Sequence, residues 1–216
     1  MKQTRLLVLA AACTTVAAVM SLSHHVVHGQ SEAGLQSAAA AIEAQGEAAE
    51  TQTVDPNVNS SDYLRSLIGL RLAPVQLNFG NRDHLLVGLG SYMVNQVASC
   101  NDCHTSPSFA PGHDPFLGQP KQINANVYLA GGHAYPADDG ETVFPPNITP
   151  DSTGKPAGLT YRQFVLAMRY GQDPAANRLL QVMPWPSYQD LTHLDLRAIY
   201  EYLSSIPSLP CNGNGC

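Results

Sequence analysis

The sequence is poor in charge. Only 13% of its 216 residues are Asp, Glu, Lys or Arg, and 11 bases are outnumbered by 17 acids, for a net charge of −6. Such a chain has no polycationic surface for a phosphate backbone, which excludes nucleic acid as a partner, and overall charge will not draw it to an anionic bilayer. Its longest apolar run, Leu6 to Leu22, falls short of the roughly 20 residues that span a membrane and is diluted by Thr14, Thr15 and Ser21. Between Ser31 and Ser61 large apolar side chains are nearly missing, so that stretch cannot build a core. Cysteine is scarce too, at 5 residues, and Cys211 with Cys216 lacks the spacing that would complete a zinc site begun by Cys100 and Cys103. No segment alternates in the way that marks a clear strand.

What is present centres on Cys100-Asn101-Asp102-Cys103-His104, the Cys-x-x-Cys-His pattern of covalent c-type haem attachment. Two thiols add to the two vinyl groups of a haem, and the next histidine supplies an axial nitrogen to the iron. Composition alone would produce this pattern about 0.004 times in a chain of this length. A redox dithiol is the other reading of the cysteine pair, but it leaves His104 without a purpose and lacks βαβ surroundings.

Lys2 and Arg5 followed by the apolar run and Val27-His28-Gly29 read as a secretory signal with a cut before Gln30. A retained anchor and lipidation of Cys13 are the other readings, and all three deliver the protein to the same side of the membrane. With Lys2 and Arg5 removed and every acid retained, 9 bases face 17 acids, a charge of −8. Export suits both haem attachment and a small disulfide between Cys211 and Cys216. The remaining length and the 44% hydrophobic content fit one domain.

Helix signals are few but sharp. Asn81 or Asp83 caps a helix expected to run to about Ser99 with Leu85, Leu86, Leu89, Met93 and Val97, in which Gly88 and Gly90 point to close approach by another backbone. Thr160 with Gln163 opens a second helix, bearing Tyr161, Phe164, Val165 and Met168 and stopped by Gly171. Thr192 with Asp195 opens a third, with Leu196, Ile199, Tyr200 and Leu203 on one face before Pro207. From Thr105 to Asp151 the chain is proline-rich loop, acceptable in a domain whose core includes a large apolar disc.

An electron-carrying haem needs a sixth ligand, and thioether sulfur opposite imidazole raises its potential. Beyond the leader the methionines are Met93, Met168 and Met183. Met93 lies in the helix entering the motif and Met168 on an apolar helical face, which leaves Met183. Its successor Pro184, with Pro186, bars a helix and holds the backbone extended. His133, beside Gly131-Gly132, is the competing ligand, whereas His84, His113 and His193 read as surface or loop residues. Arg169 and Trp185 are candidate donors to the haem propionates.

The stretch from about Arg82 to Pro207 resembles a class I cytochrome c. It is most similar to the haem modules in cytochrome subunits of bacterial periplasmic alcohol and gluconate dehydrogenases. The residues carrying the resemblance are Gly90-Ser91-Tyr92, Cys100 to Thr105, Leu129 to Gly132, Asn147 to Asp151, Phe164, Arg169-Tyr170-Gly171, Met183-Pro184, Leu191 to Leu196 and Tyr202-Leu203. It implies His104 and Met183 as the axial pair, and a crossing of the first and last helices that uses Gly88 or Gly90 and Tyr202. The chain departs from those subunits in having one motif where they string several, and His193 where they tend to have an acid.

The expected architecture is therefore all-α: helices around one covalent haem c, with long loops. Its parts are a signal peptide (1–29), a tether (30–61), a docking segment (62–81), a cytochrome domain (82–210) and a tail (211–216). The expected function is non-enzymatic, single-electron transfer in the periplasm, from a dehydrogenase to an oxidase or another cytochrome. Membrane attachment follows only if the leader is retained or Cys13 lipidated. Two further readings stay open: a fixed subunit of a dehydrogenase complex, and a sensor or enzyme with an open iron position.

Overall fold

The computed structural model describes residues 59–137, 140–174 and 178–214, all within the unit spanning 52–216. The leader and nearly all of the tether lie outside them. Among the described residues no helix is long and apolar enough to cross a membrane.

Three helices form one layer. Helix α1 (Ser60–Leu72) starts at Asn59, whose side chain accepts from Ser61 N, and ends at Ala73 before Pro74. Helix α2 (His84–Tyr92) is capped by Asp83, which accepts from Leu85 N at 2.7 Å and Leu86 N at 3.2 Å. Helix α2 lies between α1 and the last helix, α5 (His193–Ser205), touching both through glycine. A Cβ on Gly88 would meet Ser66 O of α1 at 2.4 Å, and one on Gly90 would meet Ala198 O of α5 at 1.8 Å. Gly90 and Tyr202 thus meet at the α2–α5 crossing that the resemblance implies.

Helix α2 does not run on to Ser99 as an α-helix. From Met93 to Val97 it widens into a π-turn, with Ala98 N reaching back five residues to Met93 O. Within this turn the Asn95 amide donates to Ser91 O at 2.9 Å and its carbonyl accepts from Tyr128 Oη at 2.7 Å. Such insertions often sit at functional sites. Ser99 then turns left-handed, with φ of 51°, and the short helix α3 (Cys100–His104) begins in a new direction.

Both remaining cap signals form as complete boxes, Thr160 with Gln163 on α4 (Tyr161–Tyr170) and Thr192 with Asp195 on α5. Gly171 closes α4 in the left-handed region. The loop between α3 and α4 is more ordered than a plain connection. It contains single 3-10 turns at Pro115–Leu117 and Ala125–Val127, and it sends Tyr128, Leu129 and Ala130 into the core beside Val87, Val94, Leu196 and Ile199.

The all-α expectation needs one correction, since the fold is helix-rich with a few small strands. Strand β1 (Tyr135–Pro136) pairs antiparallel with β2 (Thr142–Val143), and β3 (Gln172–Asp173) with β4 (Arg178–Leu179). Two-residue ladders are too short to show alternation, so the sequence pattern carries no trace of them. At the C-terminus Asn212 N donates to Ala130 O at 2.9 Å, tying the tail to the core, and Cys211 is disulfide-bonded. Its expected partner, Cys216, lies outside the described residues.

Candidate functional site

The motif occupies one helical turn, so Cys100, Cys103 and His104, at i, i+3 and i+4, project from the same side. Both thiols are free. Burial pushes the Cys100 thiol up to about 12, with the neighbouring Cys103 and Asp102 adding to the effect. A redox dithiol needs a depressed thiol pKa, so this environment speaks against that reading. Among the described residues no cluster of three or more His, Cys, Asp or Glu side chains is placed to hold a metal ion.

His104 is 9% exposed, and its Nδ1 lies 2.8 Å from Pro146 O. A carbonyl only accepts, so Nδ1 carries the proton and Nε2 keeps its lone pair free for a metal. Burial lowers the pKa of this imidazole and holds it neutral, the form a ligand requires. Gly131 N donates to His104 O at 2.7 Å and Leu129 N to Thr105 Oγ1 at 2.9 Å, so segment 129–131 clamps the end of the motif. A Cβ on Gly131 would meet Pro145 O at 2.6 Å, which shows how closely the Pro145-Pro146 segment lies behind it. Two tyrosines tie further loops to the motif region: Tyr135 Oη donates to Asp102 O and Tyr188 Oη to Ala98 O, at 3.1 and 3.0 Å.

Met183 stands apart from this framework. It is half-buried, on the segment after β4, and its carbonyl accepts from Trp185 N at 2.8 Å as the 3-10 turn Trp185–Ser187 begins. The rival methionines Met93 and Met168 are both packed in the core. His133 packs its ring against Tyr135, His84 stacks on Phe79, and His113 lies near Pro120 O.

Arg169 and Trp185 converge on the Met183 segment, and both use their donors on protein carbonyls. Arg169 donates to Gln189 O and Leu191 O, and Trp185 Nε1 donates to Leu180 O at 3.1 Å. The indole lies so close over Gly171 that a Cβ there would meet Nε1 at 2.3 Å. An indole has one N–H, and in this structure that of Trp185 is directed to Leu180 O.

Sequence reasoning missed Pro146, Tyr135, Tyr188, and Asn95 and Tyr128, which form a buried cluster with Tyr202 in which the two phenol oxygens lie 2.9 Å apart. The two thiols and the neutral imidazole, on one helical face with Nε2 free, fit a covalently attached haem.

No family model matches the chain, and no solved structure does. Curated relatives do match. The fructose dehydrogenase cytochrome subunit of Gluconobacter japonicus is 33% identical over 117 residues, 54% of this chain and 20% of that protein. The cytochrome c subunit of alcohol dehydrogenase (quinone) from Gluconacetobacter polyoxogenes is 31% identical over 120 residues, 56% of this chain and 22% of the relative. The gluconate 2-dehydrogenase cytochrome c subunit of Pantoea cypripedii is 31% identical over 117 residues, 54% and 22% of the two chains. These matches span about a fifth of the relatives' length. The chain is similar to the cytochrome c subunits of dehydrogenases over about half of its own length.

Proposed function

We propose that the chain is an exported monohaem c-type cytochrome of class I architecture, passing single electrons as the cytochrome subunit of a membrane-associated dehydrogenase. The observation carrying this reading is the motif turn itself, where Cys100, Cys103 and His104 share one face and Pro146 O fixes the imidazole. Haem, when bound, supplies a one-electron iron couple. The chain's own residues do the rest. Cys100 and Cys103 would hold the group covalently, and His104 through Nε2 and Met183 through its sulfur would be the residues offered to its iron. Arg169 and Trp185 hold the segment that carries Met183.

The sequence alone gives first place to a diffusible carrier. The relatives shift the balance, because each of those named is a subunit of a dehydrogenase. The dehydrogenase is then the donor, and an oxidase or another cytochrome the acceptor. One motif means one haem per chain.

The test begins with protein produced in a host that matures c-type cytochromes. After denaturation and acid–organic extraction it should retain its colour and weigh one haem more than the mature polypeptide. Loss of the haem to solvent overturns covalent attachment. In detergent extracts of its own organism's membranes, the haem-staining band should co-migrate with sugar or alcohol dehydrogenase activity. Migration alone, at the size of the single mature polypeptide, would restore the free carrier.

A further inference from the structure

Helix α1 is built inside out. The residues it buries are small: Ser66 is 1% exposed, and Gly69 packs so tightly that a Cβ would meet Gly88 O at 1.9 Å. Ser91 Oγ donates to Gly69 O at 2.7 Å across the same contact. Of its six large apolar residues only Leu70 turns inward, against Gly88, and the other five face out. Leu64, Leu67, Ile68 and Arg71, at i, i+3, i+4 and i+7, form one outward stripe flanked by Tyr63 and Leu72. Leu64 is 58% exposed and Ile68 47%. A soluble protein seldom leaves a ridge of five large apolar side chains in water.

Charge on this helix is asymmetric. Arg71 lies in the outward stripe and Arg65 at its edge, while the helix's one acid, Asp62, sits toward the inner side and pairs with Arg65 at 3.4 Å. A chain of net charge −6 thus presents, on its most apolar helix face, an outward charge that is basic. The preceding tether has too few large apolar residues to cover the ridge. A second copy set face to face would press Arg71 onto apolar side chains with no outward acid on either helix to pair it. The ridge is convex and basic at its edge, which fits the boundary between acyl chains and phosphates of an anionic bilayer.

We propose that α1 is a membrane-surface helix. Tyr63, Leu64, Leu67, Ile68 and Leu72 enter the acyl boundary of an anionic phospholipid surface, and Arg65 and Arg71 sit at the level of the phosphates. Apolar insertion does the holding, because the net negative charge opposes long-range attraction. The inference is independent of the electron-transfer reading, since it uses no residue of the haem site.

The test uses haem-loaded protein and vesicles of phosphatidylethanolamine with phosphatidylglycerol at about 7:3. Wild type should float with the vesicles, and the double variant L64S/I68S should lose about tenfold or more in partitioning. Arg71→Gln should lose about fivefold on these vesicles and little on phosphatidylcholine. Unchanged far-ultraviolet circular dichroism and haem absorbance would show that the variants remain folded. Hydrogen exchange over residues 60–72 should slow by about threefold or more when vesicles are added, while residues 193–205 stay unchanged. Three results would overturn the proposal: wild type left in the supernatant, exchange over 60–72 that ignores vesicles, or concentration-dependent dimers broken by L64S/I68S, which would give the face to a second copy. Vesicle-insensitive exchange that slows only in the presence of a purified dehydrogenase would give it to a protein partner.

Discussion

The two residues proposed to flank the iron are held in opposite ways. His104 is almost fully buried, its ring is fixed by Pro146 O, and its carbonyl by Gly131 N, which is itself pressed against Pro145. Met183 is half-exposed on a segment after an exposed two-residue strand, and its positioning comes from side chains reaching backbone carbonyls. One ligand belongs to the core and fails only when the core fails. The other can be released while the helices stay packed, because the bonds that hold it lie mostly outside the α1–α2–α5 layer.

The harshest way to break the first region is Gly90→Val. The side chain would be driven into Ala198 O and Tyr202 Cβ, contacts of 1.8 and 2.7 Å already at the Cβ. Backbone cannot yield as a flexible side chain does, so the expected loss is about 3 kcal/mol or more in urea unfolding, with little mature holoprotein. A variant of wild-type stability would mean that the helices do not cross there. Next in size is Met183→Ala, whose effect should be local. The ferrous iron should become open to carbon monoxide, the weak near-infrared sulfur-to-iron band should vanish, and the potential should fall, while the unfolding free energy measured in urea drops by less than about 1.5 kcal/mol. Ready carbon monoxide binding by the wild type would instead favour the sensor or enzyme with an open iron position.

The same contrast explains what could be read in advance. Helices α2, α4 and α5 announce themselves because capping is local: Asp83, Thr160 with Gln163, and Thr192 with Asp195 each act within three residues of sequence. The motif is legible for the same reason. Helix α1 is not, because an apolar stripe is ordinarily read as the buried side and here Ser66 and Gly69 face inward. Pro146 is invisible because a backbone carbonyl depends on the path of the chain and not on residue type. Arg169 and Trp185 were legible as donors, but their acceptors, three carbonyls between 180 and 191, are fixed only by the fold.

Arg169→Gln sharpens the comparison at intermediate size. A glutamine cannot reach both Gln189 O and Leu191 O with two charged donors, so about 1–2 kcal/mol should be lost. The loss should fall on the Met183 side. The sulfur-to-iron band should disappear at a lower urea concentration than helical circular dichroism, whereas in the wild type the two transitions lie closer together. Coincident transitions in the variant would mean that Arg169 supports the whole domain and not the loop.

The smallest effect is expected at His193, the first residue of α5, and it turns on charge. Desolvation and the nearby Arg169 both lower its pKa from the ordinary 6.5. The helix N-terminus adds the same bias, since it disfavours a cation. Below about pH 6.5 the unfolded chain binds a proton at this position more readily than the folded one. Stability from this group is therefore present at neutral pH and lost as pH falls from about 6.5 toward the lower folded value. An acid should behave in the opposite sense. A carboxylate in His193→Asp would face Arg169 and the helix N-terminus favourably, and its contribution would persist until pH falls through the carboxylate range. At low ionic strength and pH 7.5 that variant should be about 0.3–1 kcal/mol more stable than wild type. The gap should widen at pH 5 and shrink in 0.5 M salt, because exposed charges are screened. His104 titrates equally in both proteins, so the difference between them isolates His193. Since Arg169 also holds Gln189 and Leu191, the acid range in which the sulfur-to-iron band survives should extend lower in the variant, while unfolding of the helices shifts by less. An equal shift of both would place His193 in the framework around α5, and no shift would show that Arg169 does not sense it.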